Sequence, residues 1–231
     1  MVEGAWQERV AVALDADTLE RNVAVVQALA GRARWFKVGL RWLLADPAPL
    51  VRAIEDAGAS LFVDPKLYDI PATMRGGALA LSRWSPRLLT VHVGAGPEGV
   101  GAVLDGLEAG GAASCRVVVV TRLTSKAWRE ERWETLEREV GACLAAGAAG
   151  GVCSGHEVTR WLGVHPGSHW VTPGIRLEDE RVDDQARVVT PAAALEAGAG
   201  LLVIGRPVVR AASVEEAWER LGESLAHTRG G

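Results

Sequence analysis

The chain predicts one α/β domain, a single (β/α)8 TIM barrel spanning residues 1–231, and three features of the sequence carry that expectation. A glycine–alanine stop recurs before short apolar runs. Ala57-Gly58-Ala59 precedes 61–63 and Ala109-Gly110-Gly111 precedes 116–120; Ala146-Gly147-Ala148 precedes 151–153 and Ala197-Gly198-Ala199 precedes 201–204. Glycine after a helical stretch takes the left-handed conformation that ends the helix, and the apolar run then enters a strand. The runs are also nearly continuous rather than alternating, as parallel strands covered on both faces require. Finally, eight such runs fill the chain, with room between them for a helix and short loops, which leaves no space for a second domain.

The eight expected strands are 10–14, 35–38, 61–63, 88–93, 116–120, 151–153, 169–171 and 201–204. A doubly wound sheet shares the βα alternation but carries a glycine fingerprint after its first strand. Here that strand runs into Leu14-Asp15-Ala16-Asp17, without glycine, so the closed barrel is preferred. Residues 18–30 form the first helix: Leu19, Val23, Val26 and Leu29 recur at helical spacing, with Glu20, Arg21 and Asn22 largely on the other face. The nine tryptophans are scattered and are expected to pack.

The net charge of −4 is mild and the basic residues are dispersed, so neither nucleic acid nor a membrane surface has an electrostatic footprint. Residues 1–9 carry two glutamates and no apolar stretch, unlike a signal peptide, and no apolar run is long enough to span a bilayer. The expectation is a soluble cytoplasmic protein. Cys115, Cys143 and Cys153 lack CxxC spacing and are expected to be buried small hydrophobes. Pro166-Gly167 separates His165 from His169, so those two cannot share a helix face as metal ligands.

Reactive groups of a barrel gather at the carboxyl ends of its strands. Those positions here hold Asp15, Lys37, Asp64 with Lys66, His92, Thr124 with Ser125, Ser154, Pro173-Gly174-Ile175-Arg176 and Gly205-Arg206. Asp64 and Lys66 are two apart, so extended geometry would point both to the same side. Adding Lys37 and Asp15 from neighbouring strands crowds alternating charges into one mouth, a costly arrangement unless each charge is paired. The loops after the seventh and eighth strands commonly bind phosphoryl groups. Each pairs a glycine, which lets backbone N–H groups approach an anion, with an arginine that can grip phosphate oxygens.

Asp64-Pro65-Lys66-Leu67-Tyr68-Asp69-Ile70-Pro71-Ala72-Thr73 resembles the D-x-K-x-x-D-I-P-x-T signature of the orotidine 5'-phosphate decarboxylase family. The likeness extends through Val12-Ala13-Leu14-Asp15, Phe36-Lys37-Val38-Gly39-Leu40, Leu123-Thr124-Ser125, Pro173-Gly174-Ile175-Arg176, Asp184-Gln185-Ala186-Arg187 and Ile204-Gly205-Arg206-Pro207. The resemblance implies decarboxylation of orotidine 5'-phosphate to UMP without cofactor or metal. It implies that Lys66 gives a proton to C6, that Asp64 lies beside the departing carboxylate, and that Lys37 joins the charge array and the ribose. Asp15 would bind ribose hydroxyls, and Thr124 with Ser125 would face the pyrimidine. Gln185 would bridge base and phosphate, while Gly205, Arg206 and Arg176 would hold the phosphate region. Remote phosphate binding by Arg206 and Gln185 would help drive closure of residues 177–184 and order the charges. Asp69 and Thr73 would reach into a partner subunit's site, making a homodimer the functional unit.

The sequence departs from the family pattern at Pro65, Tyr68 and Ala72, none of them a charged member of the array. A metal-dependent sugar-phosphate decarboxylase or synthase of the same superfamily would share the Asp64–Lys66 pair. Phe62, however, stands two residues before Asp64, where such an enzyme needs a carboxylate ligand. A nucleotide-binding sensor without activity is the reading from another class; every charged position of the array is nonetheless filled.

Overall fold

The computed structural model describes residues 6–121, 133–176 and 189–226. Eight parallel strands pair in chain order and the last returns to the first, closing the expected barrel. They are β1 (Val10–Ala13), β2 (Trp35–Gly39), β3 (Ser60–Leu67), β4 (Leu88–His92), β5 (Arg116–Val120), β6 (Gly150–Val152), β7 (His169–Thr172) and β8 (Leu201–Ile204). Seven agree with the sequence expectation to within one residue at either end. The exception is β3, which runs four residues past Val63, so that Asp64, Pro65 and Lys66 lie within it rather than after it.

Both faces of the strands are apolar for separate reasons. Ala11, Ala13, Phe62, Leu88, Val118, Val171, Leu201 and Val203 fill the inside of the barrel. Their neighbours, among them Val12, Phe36, Val63, Val91, Val119 and Trp170, turn outward beneath the helices. Burial on two sides accounts for the unbroken apolar runs. Where the outer layer carries large rings, the strands supply glycine. A Cβ on Gly151 would lie 2.5 Å from the Trp170 ring, which stacks on Trp161 at 5.0 Å. The expected packing role of the tryptophans holds for Trp42, Trp133, Trp161, Trp170 and Trp218, all buried, and the three cysteines are buried and free.

The first helix, α1 (Leu19–Ala28), is shorter than the expected 18–30: Thr18 caps its start, its hydroxyl accepting from Arg21 N at 3.2 Å, and it ends at the Leu29 cap, before Gly31 at φ 73°. Asn22 corrects the helical-wheel reading: it is fully buried rather than on a solvated face. Its amide accepts from Ala16 N at 3.1 Å and donates to the Ala16 and Thr18 carbonyls at 3.3 and 2.9 Å, closing the turn after β1. Further along, α2 (Leu40–Ala45) and α3 (Ala48–Asp56) precede β3. Next come α4 (Pro71–Ser82) and α5 (Gly96–Ala109), which pack closely because α5 presents glycine at the contact. A Cβ on Gly106 would overlap the Arg75 carbonyl and come within 2.9 Å of the Ala78 methyl. The circuit is completed by α6 (Trp133–Ala145), α7 (Val158–Val164), α8 (Pro191–Glu196), α9 (Arg206–Val209) and α10 (Val214–Ala226). No helix among the described residues is long and apolar enough to cross a membrane.

Candidate active site

The carboxyl ends of β1, β2 and β3 bring four charges into one line. Lys37 points into the barrel mouth from β2, two residues before Gly39, the register partner of Asp64. Its Nζ lies 3.2 Å from Asp64 Oδ2 and 3.5 Å from Asp15 Oδ2. Beyond Asp64, Lys66 Nζ donates to both carboxylate oxygens, at 2.9 and 2.8 Å. The order is therefore Asp15, Lys37, Asp64, Lys66, each charge next to its opposite. The two inner members, Lys37 and Asp64, are buried; Asp15 is exposed and Lys66 half-exposed.

Burial alone would drive Lys37 toward its neutral form, but Asp64 and Asp15 outweigh that and hold its pKa above the ordinary lysine value. Burial would likewise raise Asp64, yet Lys37 and Lys66, with hydrogen bonds from Lys66 and Thr90, bring it below the usual carboxylate range. Both inner groups are thus held ionised. Gly39 makes the space for this line: a Cβ there would stand 3.2 Å from Asp15 Oδ1 and 3.4 Å from Lys37 Nζ.

Asp64 and Lys66 meet, but not by the expected extended geometry. Lys66 has φ 51°, in the left-handed region, where the β3–β4 register shifts between Val63 and Leu67. Pro65 has no N–H to give to a ladder, so the chain bulges there and turns the lysine back over Asp64. The bulge leaves the Lys66 N–H to be met by a side chain, and Thr90 Oγ1 accepts it at 2.9 Å. The same hydroxyl donates to Asp64 Oδ1 at 2.8 Å. Thr90 was not among the residues the sequence singled out. Its one signal is position, on the inward face of β4 two residues before His92.

Asp69 and Thr73 are exposed, and Asp69 Oδ1 accepts from Ile70 N at 2.7 Å. His92 ends β4 and stacks on Tyr68 at 5.1 Å. Ser154, after β6, is buried, and its N–H donates to Glu157 Oε2 at 3.3 Å. Arg176 is buried, with Nη1 donating to the Ile175 carbonyl at 3.1 Å, and Ile175 bridges to Val189. Gly205 precedes α9 beside β1, where a Cβ would stand 3.5 Å from the Ala13 methyl and 4.0 Å from Asp15 Oδ2. That contact brings the Gly205-Arg206 turn up to the outer end of the charge line. Thr124, Ser125, Gln185 and residues 177–184 lie outside the described residues.

A closed parallel barrel whose carboxyl-terminal mouth holds an alternating Asp–Lys array is the architecture of a barrel enzyme that works through charged side chains. The chain belongs to the Orotidine 5'-phosphate decarboxylase / HUMPS family, whose sequence model matches residues 8–221. It is 37% identical over 210 residues to an orotidine 5'-phosphate decarboxylase of Cutibacterium acnes, covering 87% of this chain and 89% of that one. It is 36% identical over 224 residues to the enzyme of the same name from Geobacillus thermodenitrificans, covering 91% and 93%. Among solved structures, orotidine 5'-phosphate decarboxylase from Lactobacillus acidophilus superimposes with a TM-score of 0.76 at 29% identity, over 94% of this chain and 99% of that one.

Proposed function

We propose that this chain decarboxylates orotidine 5'-phosphate to UMP, the last step of de novo pyrimidine synthesis, as one catalytic domain over residues 1–231. The observation that carries the reading is the Lys66 ammonium, held on both oxygens of a buried Asp64 at the mouth of the barrel. In the reaction the bond between C6 and the carboxylate breaks, CO2 leaves, and the electron pair stays on C6. A fixed cation beside C6 stabilises that pair as it develops and then supplies the proton that fills the position. Lys66 takes both roles, and the reaction needs no cofactor or metal.

Asp64 lies where the departing carboxylate would approach and holds Lys66 in place. Lys37 and Asp15 sit where ribose hydroxyls would be met, and the adjoining Gly205-Arg206 turn supports a phosphate site with Arg176 and Gln185. Thr124 faces the pyrimidine. Phosphate held at a distance from the reacting carbon contributes binding energy that orders the charges around C6. Asp69 and Thr73 complete the site of a partner subunit in a homodimer. The exposed apolar Tyr68 and Ile70 on either side of Asp69, 65% and 66% accessible, support that placement.

The test follows orotidine 5'-phosphate by absorbance and identifies UMP as product. Lys66→Ala should retain nucleotide binding while turnover falls by several orders of magnitude; near-normal UMP formation would overturn the assignment. Mixing Lys66→Ala with Asp69→Ala should restore part of the activity through hybrid dimers that hold one intact site. No recovery despite demonstrated subunit exchange would remove Asp69 from the partner's site.

A further inference from the structure

We propose that Thr90 is a positioning residue that aligns Lys66 against Asp64 for the reaction through a single hydroxyl bonded to both. The proposal rests on the decarboxylase reading above. Thr90 is fully buried on the inward face of β4. Its Oγ1 accepts the Lys66 backbone N–H at 2.9 Å and gives its only proton to Asp64 Oδ1 at 2.8 Å. A hydroxyl has one donor, so the two bonds fix its rotor: the proton must point at the carboxylate because the lone pair faces the amide.

The three-residue segment Asp64-Pro65-Lys66 is therefore tied at both ends to one atom. This matters because the segment leaves regular pairing. β3 and β4 are in register up to Val63–Leu89 and resume at Leu67–Val91, and between these points Pro65 has no N–H and Lys66 sits at φ 51°. A lysine has no intrinsic preference for that backbone, so its conformation persists only where surrounding groups determine it. Thr90 is the group that meets the Lys66 N–H at the bulge. Asp64 Oδ1 is consequently shared by two donors, the Thr90 hydroxyl and Lys66 Nζ. Rotation of the carboxylate away from Lys66 would cost the Thr90 bond. With its side chain fully buried and its hydroxyl taken up by these two bonds, the residue acts through Asp64 and Lys66.

Thr90→Val keeps the shape and removes the hydroxyl, whereas Thr90→Ser keeps the hydroxyl and removes the methyl. Orotidine 5'-phosphate turnover should lose about 10- to 100-fold in kcat in Thr90→Val with KM changed by less than about threefold. Thr90→Ser should stay within about threefold of wild type in both. A structural role alone would not divide kcat from KM in this way, nor would serine restore it. Wild-type-like kcat in Thr90→Val, or equal losses in the valine and serine variants, overturns the proposal. Should Thr90→Val fail to fold, Thr90→Ala takes its place, and an unchanged kcat there overturns the proposal equally. Absence of turnover in the wild-type chain would instead defeat the decarboxylase reading, so the two failures are distinct.

Discussion

Asn22 shows how a single side chain prepares the site without entering it. Its amide saturates the Ala16 N–H and carbonyl and the Thr18 carbonyl, so the turn that presents Asp15 is fixed from α1. Asn22→Ala leaves the buried Ala16 N–H and carbonyl without that partner, while the exposed Thr18 carbonyl keeps the backbone N–H of residue 22, and each buried polar group so stranded costs on the order of 1–3 kcal/mol. The variant should lose about 2–3 kcal/mol of stability by urea denaturation at an unchanged slope; a wild-type midpoint would show that water replaces the amide freely. The residue was legible as a helical position but not as a buried one. Hydrophilicity does not distinguish a side chain solvated by water from one satisfied by backbone, and the helical wheel places Asn22 beside Glu20 and Arg21. Thr90 escaped notice for the same reason, since a threonine within an apolar strand has the composition of ordinary β-structure.

Among the elements, the strands were legible and the departure within β3 was not. Continuous apolar runs report burial on both faces, and this barrel buries both faces of its strands, so seven strands matched closely. The continuation of β3 through Asp64-Pro65-Lys66 is polar and holds a proline, which reads as an end of strand. Pairing of Asp64 with Gly39 and of Leu67 with Val91, with the β4 hydroxyl meeting the Lys66 N–H between them, makes it a continuation. The α4–α5 contact is similar: glycines in α5 look like helix breakers in sequence, and become contact points when the neighbouring helix is present. Gly106→Ala places a methyl against the Arg75 carbonyl and the Ala78 methyl, and backbone cannot yield as a side-chain tip does. Overpacking of this kind costs about 1–3 kcal/mol, against the small gain alanine gives a free helix. The expected result is a lower thermal midpoint. Because α4 begins at Pro71, directly after Asp69-Ile70, the displaced helix should also, in the homodimer proposed above, weaken association by sedimentation more than turnover per assembled dimer.

At the scale of the molecule the two ends of the barrel use charge oppositely. The carboxyl end alternates signs, and each inner charge of its line is held ionised by its neighbours. The amino end sets Arg9 and Arg116 around His169: Arg9 Nη2 donates to the Ala199 carbonyl, and the adjoining Gly200 lies flat against the imidazole, where a Cβ would stand 2.6 Å from Nδ1. Burial first, then Arg116 and Arg9, lowers His169 from an ordinary value of 6.5 to about 4. In the unfolded chain that histidine takes up a proton near its ordinary value, whereas in the barrel it stays neutral until the pH is far lower. Its contribution to stability is therefore complete above about pH 6.5 and is lost as pH falls toward 4, because the unfolded state binds the extra proton over that window. Asp64 adds to the acid limb in the same direction but lower, its pKa being held below the usual carboxylate range, so the two contributions separate along the pH axis. Thermal midpoints measured from pH 7.5 to 4.5 should fall steadily in the wild-type chain. In His169→Gln, which fills similar space without titrating, the fall between pH 6.5 and 4.5 should be shallower while the midpoint at pH 7.5 changes little. Parallel curves for the two proteins would mean that His169 is protonated in the fold as readily as in the open chain, and that the arginines at this end do not reach it electrostatically.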